Sequence, residues 1–555
     1  MDKKIIVIGA GFAGLCASIQ AAENGYMVAL VSPMPSERAQ SVMAAGGMNA
    51  VLDTKGENDT FKDHIDDTVR SAQGVASEEA ISKMVHAAPG IVERLVKEGV
   101  LFTRMVDGNM DLRRFGGQKK ARTAFSSSGT GKQIITGLNQ VVRKLEVEGK
   151  VNRYSNHTFV RLVEDTNGTV IGCVIRDNLK EKFLVLNGVS VIIATGGFNG
   201  IMGNTTGSVN NTGAVTANLF YNGIEMANLE FVQYHPTTVY VSGKRLLVSE
   251  AARSEGGRLF SMRNGERWYF MEEWFPGVGA LVSRDLCSKS IYRALKMLPE
   301  GEKFVYLDMT FFDEKLFKTK LAETRADCIK YLKLDPMKEV IPVYPGIHYF
   351  MGGIKVDNEH RTSKKGLYAA GECACQYHGA NRLGGNSVLG ALHGGFSAAN
   401  TALNDNHNIY SKVELDGFNK KALGRLNRNL KMVVGKPKHY SIPATQMAMQ
   451  KIMNECLGIE RKEEELQKGI HQMDELYKER IKDNYDDTST YYKNLQVKER
   501  WVLSKAILQC ALERKESRGS HMREDYPMQN DEQFAKITLA SLRDDQISIQ
   551  FKGVE

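Results

Sequence analysis

The chain has 555 residues, 42% apolar and 25% charged, and its formal charge of +8 is the difference between 73 basic and 65 acidic side chains. That length exceeds one hydrophobic core and suits two to four domains. The charges are interspersed with no long basic tail, which argues against nucleic-acid binding, and no apolar run is long enough to cross a bilayer. The eight cysteines are scattered and form no Cys-x-x-Cys pair, so neither zinc nor an iron–sulfur cluster is expected. They read as reduced, mostly structural thiols of a cytoplasmic protein. Met1 leads straight into a strand-like run, so no signal peptide is expected.

Ile5 to Ile8 is a short apolar strand, and Gly9-Ala10-Gly11-x-x-Gly14 follows at once and opens a helix through Ala22. Strand, glycine turn and helix in that order are what a dinucleotide needs: Gly9 turns the chain, Gly11 admits the pyrophosphate, and Gly14 lets the helix pack on the sheet. The next strand, Met27 to Val31, ends at Ser32, where an acid for the ribose hydroxyls is usual. Five cations between Arg113 and Arg122 make a basic loop. Val189 to Ile193 is a further apolar strand and leads into a second glycine turn, Ala194-Thr195-Gly196-Gly197. From about 240 to 344 the pattern is interrupted by strands and helices of another kind.

Gly366 to Glu372 is strand-like again and precedes His378-Gly-Ala-Asn-Arg382-Leu-Gly-Gly-Asn386-Ser387, after which a run of small residues begins at Val388. Glycines at a strand-to-helix junction bring backbone amides against a ligand, and Arg382 adds a cation. The expected ligand is an anion, and an arginine fork suits a carboxylate or phosphate. A glycine-rich turn with a surface arginine is the plainer alternative. Beyond about Leu415 the composition shifts to long charged helices without the glycines that cofactors need.

The stretch from His378 to Ser387 resembles the signature of the flavoprotein subunits of fumarate reductase and succinate dehydrogenase, with a looser version in L-aspartate oxidase. Four further segments agree in chain order: Gln233-Tyr-His235-Pro-Thr, Ser249-Glu250-Ala-Ala-Arg253-Ser-Glu-Gly-Gly, Ser283-Arg284-Asp285 and His348-Tyr-Phe-Met-Gly-Gly. Taken singly, each has a plain structural explanation, such as a helix-surface pair for Glu250 and Arg253. The resemblance implies an α/β fold: a Rossmann-like, two-dinucleotide-binding FAD domain (1–239 and 345–412), an inserted α+β capping domain (240–344), a helical domain (413–524) and a C-terminal segment (525–555).

The resemblance also implies roles. Gly9, Ala10, Gly11, Gly14, Ser32, Gln40, Ser41, Ala45, Gly46, Gly47, Ala194, Thr195, Gly196, Glu372, Asn386, Ser387 and Val388 would bind FAD. His235, Ser249, His348 and Arg382 would clamp a small dicarboxylate, with hydride passing between FAD and substrate and Arg284 giving a proton replaced through Glu250 and Arg253. In the quinone-linked enzymes a histidine bonds covalently to the flavin. Gln40 stands at that position, so non-covalent FAD is expected, with fumarate reduction the favoured direction. Ala214 stands where the family has an acid, and Gly390 where another acid is usual. Leu112 to Gly117 resembles the fumarate reductase version of its segment rather than the Glu-Gly-Gly-His of L-aspartate oxidases.

L-Aspartate oxidase, a reductase of another unsaturated acid and an electron-transfer or scaffold subunit without chemistry of its own are the competing readings. An iron–sulfur electron-transfer subunit is the implied partner, with Arg514-Lys-Glu-Ser-Arg-Gly-Ser-His521 as its expected docking surface. The chain would be cytoplasmic and reach the inner face of a membrane through partner subunits.

Overall fold

A computed structural model describes residues 3–126, 129–299, 301–431, 440–481 and 488–554. The elements that matter for the site are, in chain order, β1 (Lys4–Ile8), α1 (Phe12–Glu23), β2 (Met27–Ser32), α2 (Phe61–Ala72), β3 (Val151–Ser155), β4 (Ser190–Ile193), β5 (Val232–Val241), α3 (Arg284–Lys296), β6 (Ile341–Phe350), β7 (Leu367–Ala369), α4 (Asn386–Asn404) and α5 (Thr488–Glu513).

The central sheet has the order β7-β4-β1-β2-β3, with every neighbour parallel. A parallel sheet is covered on both faces, which is why β1, β2 and β4 are nearly unbroken apolar runs. Alternation along β1 feeds two cores: Ile5 and Val7 join α1, α4 and Leu30 on one face, while Ile6 and Ile8 join Ala29 and Val31 on the other. The second core also takes Met449, Leu466, Val497 and Ile507, so the C-terminal helices are built onto the back of the central sheet. On the first face α1 and α4 approach closely, and a Cβ at Gly395 would lie 2.3 Å from the Ala13 carbonyl oxygen.

A six-stranded sheet forms the inserted region, and β5 and β6 are its paired inner strands. Both strands run through the expected boundaries at 239/240 and 344/345, so the insert grows out of the main body on two continuous ribbons. The insert has its own core around Leu259, Ile291, Leu307 and Val343. Residues 537–543 and 546–552 form a hairpin whose first strand pairs with Met226–Ala227, which docks the C-terminal segment onto the main body. Among the described residues no helix is long and apolar enough to cross a membrane.

Candidate active site

A cleft of ≈ 560 Å³ has Gly9, Ala10 and Gly11 at one part of its wall and His235, Arg284, His348 and Arg382 at another. The glycine turn leaves no space for side chains. Gly9 has φ +113°, a Cβ on it would sit 2.1 Å from the Ala194 carbonyl oxygen, and one on Gly14 would sit 1.8 Å from the Gly9 carbonyl oxygen. The Phe12 amide donates to Ser41 Oγ at 3.1 Å, and α1 carries no side-chain cap of its own. Uncapped first-turn amides behind a glycine turn make a pyrophosphate cradle, so these residues fit a dinucleotide cofactor.

Gln40, Ala45, Gly46, Gly47, Ala194, Thr195, Gly196, Glu372, Ser387 and Val388 line the same cleft, as do Ser32 and Ser41. Gln40 accepts a hydrogen bond from the Ser208 amide at 2.6 Å. Glu372 accepts one from the Phe350 amide at 3.1 Å, and burial raises its carboxyl to about 7.

Asn386 is placed differently. It is fully buried, its Oδ1 accepts from Asn49 Nδ2 at 2.7 Å and lies 2.9 Å from His64 Nε2, and its Nδ2 donates to Thr68 at 3.0 Å. Its side chain thus ties the start of α4 to α2 and does not line the cleft.

The polar end is assembled by tethers between distant segments. Asp285, in the first turn of α3, accepts from Asn381 Nδ2 at 2.8 Å and from Ser283. That bond stitches the segment carrying Arg284 to the one carrying Arg382. Arg284 donates from Nε to Glu250 Oε2 at 2.9 Å, from Nη2 to the same oxygen, and from Nη1 to Gln233 Oε1 at 3.2 Å. The other oxygen, Glu250 Oε1, accepts from the Gly116 amide at 3.3 Å and lies 3.6 Å from Arg253 Nη2. Arg253 is buried behind Glu250, donates to the Ala280 carbonyl at 2.8 Å and does not line the cleft. Arg284, Glu250 and Arg253 therefore form a file running inward from the cleft wall.

Arg382 donates to Ser387 Oγ at 3.0 Å and lies 4.6 Å over the Tyr349 ring, with its Nε buried and without a hydrogen-bond partner. Burial lowers it to about 9, and the Arg284 charge adds to that. His235 and His348, on the paired strands β5 and β6, have ring centroids 5.2 Å apart. Burial first, and Arg284 second, hold both well below the ordinary imidazole value, so both are neutral. His348 Nδ1 is 2.7 Å from Thr206 Oγ1, and His235 Nε2 is buried without a partner. Ser249 lines the cleft beside them.

For Glu250, burial pushes the carboxyl up, but Arg284 and Arg253 outweigh it and hold it below the ordinary value. Arg253, Arg284 and Arg382 gather buried positive charge around the single carboxylate, Glu250, that is ion-paired among them. Buried charge of one sign is costly unless an anion completes it. The site is therefore complementary to a small anion.

The sequence alone marks no role for Gln233. Besides accepting from Arg284, it donates from Nε2 to the Arg382 carbonyl and to Asn381 Oδ1, both at 2.8 Å, so one buried amide sets the distance between the two arginines. Tyr349 carried only a motif position, and Thr206 sits on a loop with no pattern to mark it.

The expected docking surface at Arg514 to His521 is not a surface. Arg514, Glu516, Arg518 and His521 are buried, with Arg514 Nε on Glu230 at 2.6 Å and both Arg514 and Arg518 on Glu516 Oε1 at 2.8 and 2.7 Å. The segment also grips the anion-site loop, since the Ser520 hydroxyl donates to the Ala380 carbonyl at 2.9 Å, two residues before Arg382.

Residues 4–388 match the FAD binding domain family, and residues 446–555 match the family described as fumarate reductase flavoprotein C-term. The chain is 36% identical over 553 residues to the succinate dehydrogenase flavoprotein subunit of Bacillus subtilis, covering 97% of this chain and 94% of that one. It is 32% identical over 567 residues to the fumarate reductase flavoprotein subunit of Haemophilus influenzae, covering 97% and 91%. The fold superposes on FrdA of E. coli quinol fumarate reductase with a TM-score of 0.89 at 28% identity, covering 100% of this chain and 97% of that one. With a cradle for a dinucleotide, a buried arginine cluster for an anion and these matches along its length, the chain belongs to the succinate dehydrogenase/fumarate reductase flavoprotein family, FAD-dependent oxidoreductases acting on succinate and fumarate.

Proposed function

We propose that this flavoprotein works as a fumarate reductase, with Arg284 as the proton donor and with FAD held non-covalently. The observation that carries the reading is the file Arg284–Glu250–Arg253 opening on the same cleft wall as Arg382. FAD, cradled by the β1–α1 turn, supplies the hydride when reduced. Arg382, fixed by Ser387 and Tyr349, clamps the substrate together with neutral hydrogen-bonding groups: His235 for one carboxylate, His348 for the other, and Ser249 beside them. Neutral histidines suit this task because they add no further positive charge beside Arg284. Drawing electron density into a clamped carboxylate makes the distal alkene carbon electrophilic.

The second carbon takes a proton from Arg284. A guanidinium is a weak acid, with a pKa of ~12 or above, but the developing carbanion is a strong base. Glu250 sits against Arg284 on one side and Arg253 on the other, so a proton lost from Arg284 is replaced through Glu250 from Arg253. The reverse path serves succinate oxidation. Gln40 favours the reductive direction, because loss of the family's covalent histidyl bond goes with a lower flavin potential. An iron–sulfur electron-transfer subunit is the proposed source of electrons, and it is the route by which a cytoplasmic chain would sit at the inner face of a membrane. The division into FAD-binding, capping and helical regions serves this chemistry by closing the insert over the cleft.

The deciding experiment is anaerobic single-turnover reoxidation of the reduced protein. Fumarate should restore the oxidised flavin absorbance and yield one succinate per flavin. Reoxidation by iminoaspartate or bulkier enoates in preference to fumarate would refute the assignment.

A further inference from the structure

The end of the cleft away from Arg284 and Arg382 is walled by parts of the chain that lie far apart in sequence. β3 pairs with β2 so that Ser155 stands opposite Ser32, which brings His157 and Thr158 alongside the β2 terminus. That terminus is where a Rossmann-type fold receives the adenosine ribose, and an acid normally takes the ribose hydroxyls there. Here the Ser32 hydroxyl is already engaged, donating to the Met34 carbonyl at 2.5 Å and accepting from the Met34 amide at 3.3 Å. This end of the cleft thus lacks the acid that usually grips the ribose at the end of β2.

Helix α5 enters at this place. Tyr492, Lys493 and Gln496 line the cleft together with Ser32, His157 and Thr158. Tyr492 is buried, and its hydroxyl donates to the Phe159 carbonyl at 3.3 Å while accepting from Gln496 Nε2 at 3.1 Å. The helix is therefore fastened to the strand that follows β3, with the Gln496 side chain held in a fixed orientation. Among the described residues, no hydrogen bond or ion pair involves Gln496 Oε1 or the Lys493 ammonium. One free acceptor and one free cationic donor on adjacent turns of a helix face the cleft.

We infer that Lys493 and Gln496 bind the adenosine half of FAD, replacing the missing acid from the opposite wall. Gln496 Oε1 accepts from a ribose hydroxyl or the adenine amino group, and Lys493 donates to a ribose or phosphate oxygen. The inference rests on FAD being the occupant of the cleft. It adds that the C-terminal helices, which share a core with the back of the FAD sheet, also close the cofactor site.

The test is flavin titration of the deflavinated full chain, followed by fluorescence quenching, with FAD and with FMN, which lacks the adenosine half. The double variant Lys493→Ala, Gln496→Ala should raise the Kd for FAD roughly tenfold, as loss of two exposed-to-half-buried polar contacts implies, and leave the Kd for FMN unchanged. An unchanged FAD constant, or equal increases for both flavins, would overturn the inference. Hydrogen exchange on the unmodified chain gives a second readout that does not need the variant to fold. Amides of residues 493–497 should exchange more slowly with FAD than with FMN, and equal exchange would also overturn it. A chain that binds neither flavin would instead sink the FAD assignment itself, a failure distinguishable from the others.

Discussion

Glu250→Gln is the most informative single substitution. The carboxylate is 3% exposed and sits between two guanidiniums, touching Arg284 through one oxygen and standing 3.6 Å from Arg253 through the other. With an effective dielectric constant of ~20, each charge pair at such separations is worth about 4 kcal/mol, and breaking a buried pair costs roughly 3–5 kcal/mol of stability. The chain without substrate should therefore unfold at lower temperature, and fumarate or succinate should restore much of the loss by supplying the missing negative charge. Binding itself should not weaken, because losing the Glu250 charge leaves Arg284 and Arg253 with more positive charge for the substrate to meet.

The rate is affected differently. An amide cannot carry a proton from Arg253 to Arg284, and general acid–base relays contribute about 10²- to 10⁴-fold. Steady-state assays should therefore show kcat lower by that factor, with KM for fumarate unchanged or lower and the bound flavin spectrum intact. A variant that keeps more than about a tenth of kcat, or loses its rate through KM alone, would refute the relay.

Three further outcomes are expected. Arg382→Lys removes the fork that donates to Ser387 and the stacking over Tyr349, so KM for fumarate should rise at least about tenfold for a loss of roughly 1.5–3 kcal/mol; an unchanged KM would place the carboxylate elsewhere. Acid precipitation should leave all the yellow flavin in the supernatant, since Gln40 offers no ring nitrogen for a covalent bond, and flavin retained on the denatured chain would contradict this. Burial holds His64 and His360 at about 4, against 6.5 for an unburied imidazole. As pH falls from 6.5 towards 4 the unfolded chain takes up protons that the folded one refuses, so stability is lost across that window, by up to about 3 kcal/mol for each. The urea midpoint should therefore be lower at pH 5 than at pH 7, and an equal midpoint would show that these imidazoles are solvated.

What the sequence reveals follows the range of the interactions involved. The β1–α1 turn was legible from residues alone, because Gly9 and Gly14 are dictated by contacts within a few residues and with one neighbouring strand. Convergence of Arg284 and Arg382 was not legible in that sense and came only through family resemblance. Physically it depends on the Asp285–Asn381 bond and on Gln233, which join segments far apart in the chain. Gln233 carries no periodic signal, because its strand mixes apolar, aromatic and polar residues. Asn386 was assigned by its motif position, whereas its amide satisfies Asn49 and Thr68. The charged motif at Arg514 looked exposed because its charges are dense, yet Glu230 and Glu516 neutralise it internally, and sequence composition does not distinguish a solvated cluster from a paired one. The boundaries expected at 239/240 and 344/345 fall inside β5 and β6, because each strand runs unbroken across them.

The hold of Ser520 on Ala380 has a consequence for biosynthesis. The loop bearing Arg382 receives its final support from residues translated some 140 positions later. A ribosome therefore releases nearly the whole polypeptide before the anion pocket can be completed, so half-made chains carrying flavin would have no finished place for the acid to land.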